Sequence, residues 1–88
     1  MKAKFSFDPF SGTAVFKVSN NYSHSSEEGD VMIERSSSGS VSGARIYDAA
    51  KFFGMNGKFL LAIKNSEISE TEGKIQVCLK GRNFVLNY

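Results

Sequence analysis

Among its 88 residues the chain has one cysteine, one proline, one histidine and no tryptophan, and each scarcity excludes something. A single thiol, Cys78, cannot close an intrachain disulfide, so stability must come from packing. One histidine (His24) and one cysteine cannot assemble a zinc-type N/S ligand set. The acidic stretches lack the fixed oxygen spacing and the glycine of a calcium loop, and no glycine-rich phosphate loop opens a helix. The expectation is no metal and no cofactor. Catalysis finds equally little. His24 lies in a polar segment, NNYSHSSEE, with serine neighbours but no third group to orient its imidazole. Gly39–Gly43 (GSVSG) has the outline of a nucleophile elbow, but its central residue is Val41. The chain therefore reads as non-enzymatic. No apolar run approaches the ~20 residues a membrane span needs, and no apolar stretch follows the first lysines as in a secretory signal. The expected setting is cytoplasmic, with no membrane partner and with the Asn21-Tyr22-Ser23 sequon unused.

What is present is enough for one packed core: 41% apolar residues, 12% aromatic, eight of them Phe. Eighty-eight residues make a single domain, 1–88, and so short a chain buries only about 60–65% of its unfolded surface. A homodimer interface would add to its stability. The formal charge is +2, from eleven Lys and Arg against nine Asp and Glu, which is modest for a protein devoted to phosphates. The charges are segregated. Glu27, Glu28, Asp30 and Glu34 form one acidic stretch and Glu67, Glu70 and Glu72 another, whereas Lys74, Lys80 and Arg82 follow with no acid among them. Such segregation steers a charged partner.

Along the chain, 2–7 and 13–19 alternate apolar and polar around Asp8-Pro9-Phe10-Ser11-Gly12, which is turn chemistry, and so predict an antiparallel hairpin. Segment 20–29 reads as a polar loop and Val31–Arg35 as a third strand. Ser36–Gly43 (SSSGSVSG) reads as a flexible loop or a flat edge strand. Ile46, Ala49, Ala50 and Phe53 fall at i, i+3, i+4 and i+7 and predict one helix from about Ala44 to Phe53, capped by Ser42 or Asp48 and ended by Gly54. Lys58–Lys64 fits a second helix or a central strand. Asn65–Gly73 reads as an acidic loop. Segments 74–79 and 83–88 predict a second hairpin around Lys80-Gly81-Arg82, with Ile75, Val77 and Leu79 facing Phe84, Leu86 and Tyr88. The resulting expectation is an α+β domain, an antiparallel sheet of about five or six strands ordered β-β-β-α-β-β-β with one helix packed on a face.

The segment 46–63, IYDAAKFFGMNGKFLLAI, has the spacing of a helix-turn-helix, with Ala49, Phe53, Met55, Leu60 and Ile63 at the positions buried between two helices. A recognition helix here would expose Phe59, Leu61 and Ala62, where base edges and phosphates call for polar side chains. Phe5, Phe7, Phe10, Phe16, Tyr22, Phe84 and Tyr88, beside Lys4, Lys17 and Arg82, offer a second route to nucleic acid as a stacking platform, against their ordinary use as core filler. Cys78 reads as a small packing residue. With no chemistry in hand, the economical function is a non-catalytic protein-binding module, an adaptor or an inhibitor of a cytoplasmic macromolecule, of the kind a mobile element encodes. The alternative is a nucleic-acid binder using 46–63 and the basic C-terminal hairpin. Partner contact is expected at Lys58, Lys74, Lys80 and Arg82.

Overall fold

The alternation in the first segments does build a hairpin: β1 (Lys2–Asp8) and β2 (Thr13–Lys17) pair antiparallel with Phe5 opposite Phe16. The computed structural model describes residues 1–86, and it continues with β3 (His24–Glu28), β4 (Val31–Arg35) and β5 (Val41–Ile46). Two short helices follow, α1 (Ala49–Phe53) and α2 (Gly57–Ala62), and then β6 (Asn65–Thr71), β7 (Lys74–Leu79) and β8 (Arg82–Leu86). All eight strands belong to one antiparallel sheet in the order β3-β4-β5-β2-β1-β6-β7-β8. Strands hold 53% of the described residues and helices 13%. The fold is thus predominantly β, a sheet curled into a half-barrel with two short helices, and not the expected α+β domain of five or six strands and one packed helix.

Each departure has a local cause. Residues 24–28 pair with β4, yet every one of them is exposed; an edge strand beyond the core carries no apolar alternation to read. Gly29, at φ 59, supplies the positive φ that the tight turn into β4 requires. β5 (VSGARI) has a composition poor in β-formers, and it is a strand because β2 and β4 flank it. Its small residues have a purpose: Ala44 is buried between Phe16 and Ile33. A Cβ on Gly43 would lie 2.8 Å from the Phe16 carbonyl oxygen and 3.0 Å from Glu34 Oε1. The predicted helix loses its first turn to this strand, so Ile46 reaches the core from β5 while Ala49 and Phe53 reach it from α1. β6 has only Ser66 and Ile68 buried, too little alternation to signal a strand; Ser66 Oγ satisfies its buried hydroxyl by donating to the Ala3 carbonyl at 3.1 Å.

The expected C-terminal hairpin forms, with Ile75 opposite Leu86 and Val77 opposite Phe84, but Arg82, expected in the turn, instead opens β8; Tyr88, expected to complete the pairing, lies outside the described residues. Leu79 faces Arg82, and Lys80 (φ 51) and Gly81 (φ 79) form the two-residue turn. Glu72 (φ 53) and Gly73 (φ 76) repeat the arrangement between β6 and β7. Both central residues at positive φ match the right-handed twist of the flanking strands.

The curl is needed to bring Arg35 and Glu70 together. Their strands stand four inter-strand spacings apart, about 19 Å on a flat sheet. Even so, the Arg35 guanidinium makes a bidentate pair with the Glu70 carboxylate, at 3.0 and 2.7 Å, and donates to the Gly39 carbonyl at 2.8 Å. A register shift at Glu34/Arg35 bends β4 at the same place. The concave side is filled by aromatic rings meeting edge-to-face. Phe5 packs on Phe16 at 5.0 Å, Phe16 on Phe53 at 6.2 Å, and Phe53 on Phe84 at 4.8 Å, so α1 ties β2 to the far strand β8.

Candidate functional site

The four residues expected to meet a partner do not form one site. Lys80 and Arg82 flank Gly81 in the turn between β7 and β8, and Lys74 opens β7 at its opposite end, paired with Thr71. Six residues of strand separate the two groups by roughly 20 Å. Lys58 stands apart on α2, where its backbone N–H donates to Asn56 Oδ1 at 2.8 Å and so caps that helix. Arg82 is engaged within the chain: its guanidinium carbon lies 5.4 Å from the centroid of the Phe84 ring, a cation–π contact.

The helix-turn-helix spacing does correspond to two consecutive helices. Gly54, at φ 63, ends α1, and Ala49, Phe53, Met55, Leu60 and Ile63 are all buried. Asp48 sits in the N-cap position of α1 in a left-handed conformation, and its side chain makes no capping bond. α2 is only six residues long and keeps Leu60 inside while Phe59 and Leu61 remain 46% and 50% exposed. No array of base-reading side chains is displayed there.

Phe10 is the residue whose exposure the sequence concealed. It is 100% exposed, yet the turn that carries it is held rigidly. The Phe10 N–H donates to Asp8 Oδ1 at 2.9 Å, Ser11 Oγ to Asp8 Oδ2 at 3.1 Å, and the Gly12 N–H to the Asp8 carbonyl at 2.8 Å. The Gly12 carbonyl in turn accepts the Ala49 N–H at 2.8 Å, which joins the turn to α1. These bonds hold the Asp8 carboxyl below its ordinary value, first through the Phe10 N–H and then through the Ser11 hydroxyl. Phe7, in β1 just before this turn, extends the connection, since its ring lies against Gly57 at the start of α2. The signal available in the sequence was Asp8-Pro9-Phe10-Ser11-Gly12 itself, a well-specified turn with a large aromatic at its tip.

The aromatic platform expected to stack bases is divided by the sheet. Phe5 and Phe16 are buried, Phe7 and Phe84 are partly buried on the same concave side, and Lys4 and Lys17 lie on the opposite, convex face. There Lys4 stands opposite Lys17 on one side and Asn65 on the other. Lys2 stands opposite Glu67, which stands opposite Cys78. A shallow depression of about 430 Å³ on this face is lined by Lys2, Asn65, Ser66, Glu67, Cys78 and Lys80. Cys78 is partly buried. His24 is exposed on β3, and five strands intervene between it and β7 in the sheet. Among the described residues no three of His, Cys, Asp and Glu gather closely enough to hold a metal ion, and no helix is long and apolar enough to cross a membrane.

No family model, curated protein or solved structure matches this chain.

Proposed function

We propose that this chain is a small non-catalytic protein-binding module, an adaptor or inhibitor that occupies a surface of a cytoplasmic partner protein, with Phe10 as its anchor and the Phe59 and Leu61 side chains of α2 as the flanking contacts. The observation that carries the reading is a wholly exposed phenylalanine on a turn fixed by three hydrogen bonds and tied to α1. Binding energy at protein interfaces concentrates in a few aromatic anchors, and an anchor already ordered in the free protein loses little conformational entropy when it docks. Large apolar side chains left in water in this way mark a contact surface. The partner that fits offers an apolar pocket for the ring and acidic groups beside it for Lys58. The alternative of a recognition helix gains no support from a six-residue α2 that presents Phe59 and Leu61 to solvent.

The test is a photo-reactive phenylalanine analogue placed at position 10 in the full chain, with the same analogue at exposed Gln76 as control. The expected result is cross-linking to one discrete protein from position 10 alone, abolished by Leu61→Glu and unaffected by His24→Ala or Cys78→Ser. Equal cross-linking from both positions, or loss of the product in the His24 or Cys78 variant, would overturn the proposal.

A further inference from the structure

A second surface lies on the other side of the sheet, and its chemistry differs. Lys17 in β2, Lys4 in β1 and Lys80 just past β7 lie on or beside the convex face, with Asn65 in β6 between the last two. At about 4.8 Å per strand the row runs roughly 14 Å across the sheet. Lys4 and Lys17 are direct cross-strand neighbours, an arrangement that costs stability because like charges face each other. Neither they nor Lys80 makes an ion pair; among the described residues the pairs are Arg35–Glu70 and Arg45–Glu34. Glu67 offsets Lys2 opposite it, and Glu34 lies one strand beyond Gly43, the residue paired with Lys17. These acids flank the row formed by Lys17, Lys4 and Lys80.

We infer that this lysine strip binds the phosphate backbone of a nucleic acid without reading its sequence. An acidic protein surface is the competing occupant, and the composition of the strip argues against it. Protein interfaces are depleted in Lys and depend on aromatic or Arg anchors, and the strip has neither. Its neighbours are small and polar instead: Ser6 and Asn65 on the face, and Ser19 and Asn20 beside Lys4 and Lys17 in a shallow depression. Lysine, serine and asparagine are the side chains that contact phosphate oxygens. With no exposed aromatic in the strip there is no platform for unpaired bases, and contacts to phosphate alone carry no sequence information. The inference is independent of the Phe10 surface and survives or fails without it.

The experiment is fluorescence anisotropy of a labelled 30-base-pair duplex titrated with the full chain at 50 and 200 mM NaCl. With about three phosphates neutralised, affinity falls about 40-fold between those salts. Lys4→Gln with Lys17→Gln, on exposed positions of an intact sheet, should cut the logarithmic salt slope to about one third of its original value and weaken binding at least tenfold at 50 mM, with an unchanged circular dichroism spectrum. Phe10→Ser should leave DNA binding unaltered. No binding at 50 mM, binding unchanged in the double variant, or tighter binding to polyglutamate than to the duplex would each overturn the inference, the last in favour of an acidic protein.

Discussion

Replacing Phe53 by alanine tests the architecture at its narrowest point. Phe53 is 2% exposed and is the one ring that touches Phe16 in β2, Phe52 beside it in α1 and Phe84 in β8, at centroid separations of 6.2, 5.0 and 4.8 Å. α1 is five residues long, far below the length at which a helix persists by itself, so its position depends on that ring. Truncating a buried phenylalanine costs about 3–5 kcal/mol. Each lost edge-to-face contact accounts for about 0.5–1.5 kcal/mol beyond the buried area, which places this residue toward the upper part of that range. A domain of 88 residues has a total stability of about 4–13 kcal/mol. The variant should therefore melt at least about 15 °C lower, at roughly 4–8 °C per kcal/mol, or be unfolded at room temperature. Thermal and urea denaturation followed by far-ultraviolet circular dichroism measures the change. A shift below about 4 °C would mean that the ring does not bridge β2 and β8, and the closure of the sheet around α1 would have to be abandoned.

Gly43→Ala should cost about 1–3 kcal/mol in urea denaturation, because the new methyl group meets the Phe16 carbonyl oxygen at 2.8 Å, backbone that cannot step aside. A double-mutant cycle on Arg35→Met and Glu70→Gln should return a coupling of about 1 kcal/mol, reduced by salt, since the pair is bidentate and mostly withdrawn from solvent. Asp8 is held below its ordinary value of 3.8 by bonds that exist only in the folded turn. Its contribution is complete at neutral pH, above the unfolded value, and is lost as pH falls through the lower folded value. The amide resonances of Phe10 and Ser11 should titrate together with its carboxyl below pH 3.8, and Asp8→Asn should remove that transition.

The parts of the fold legible in the sequence are those where local chemistry and burial agree. The first and last hairpins show period-2 alternation around turn residues, and both form, the last with Arg82 in the strand and not in the turn. Gly54 likewise marks the end of α1, as a residue suited to the left-handed conformation. The strands that local sequence leaves out, or in the case of β5 offers only as an alternative to a loop and at an edge, are held by neighbours distant in sequence. β5 has Ser42, Gly43 and Ala44 at its centre and is ordered by β2 and β4, β6 contributes a single large apolar side chain, and β3 none at all. Ile46 was drawn into a helix because it stands three residues before Ala49, and a chain that turns from strand to helix within three residues produces that spacing by accident.

The candidate surfaces were partly legible for a related reason. Charge counting along the sequence found Lys74, Lys80 and Arg82 as a group because they are close in the chain. It missed the opposition of Lys4 and Lys17, which the register of the first hairpin creates. In the sequence Phe10 is one of several aromatics, and nothing in composition separates it from Phe5 or Phe16; only their burial does.

The central claim is that Phe10 serves a partner and not the fold, and one paired measurement on Phe10→Ser tests it most directly. Tagged wild-type and variant protein are used to retain partners from the native host, the retained proteins are quantified by mass spectrometry, and the same two preparations are melted. The account predicts melting temperatures within about 2 °C of each other, as for a surface substitution. It also predicts at least a tenfold loss of one protein that the wild type retains, as expected for removing an anchor worth 2 kcal/mol or more. Equal retention by the two proteins, or a variant that no longer folds, would contradict it.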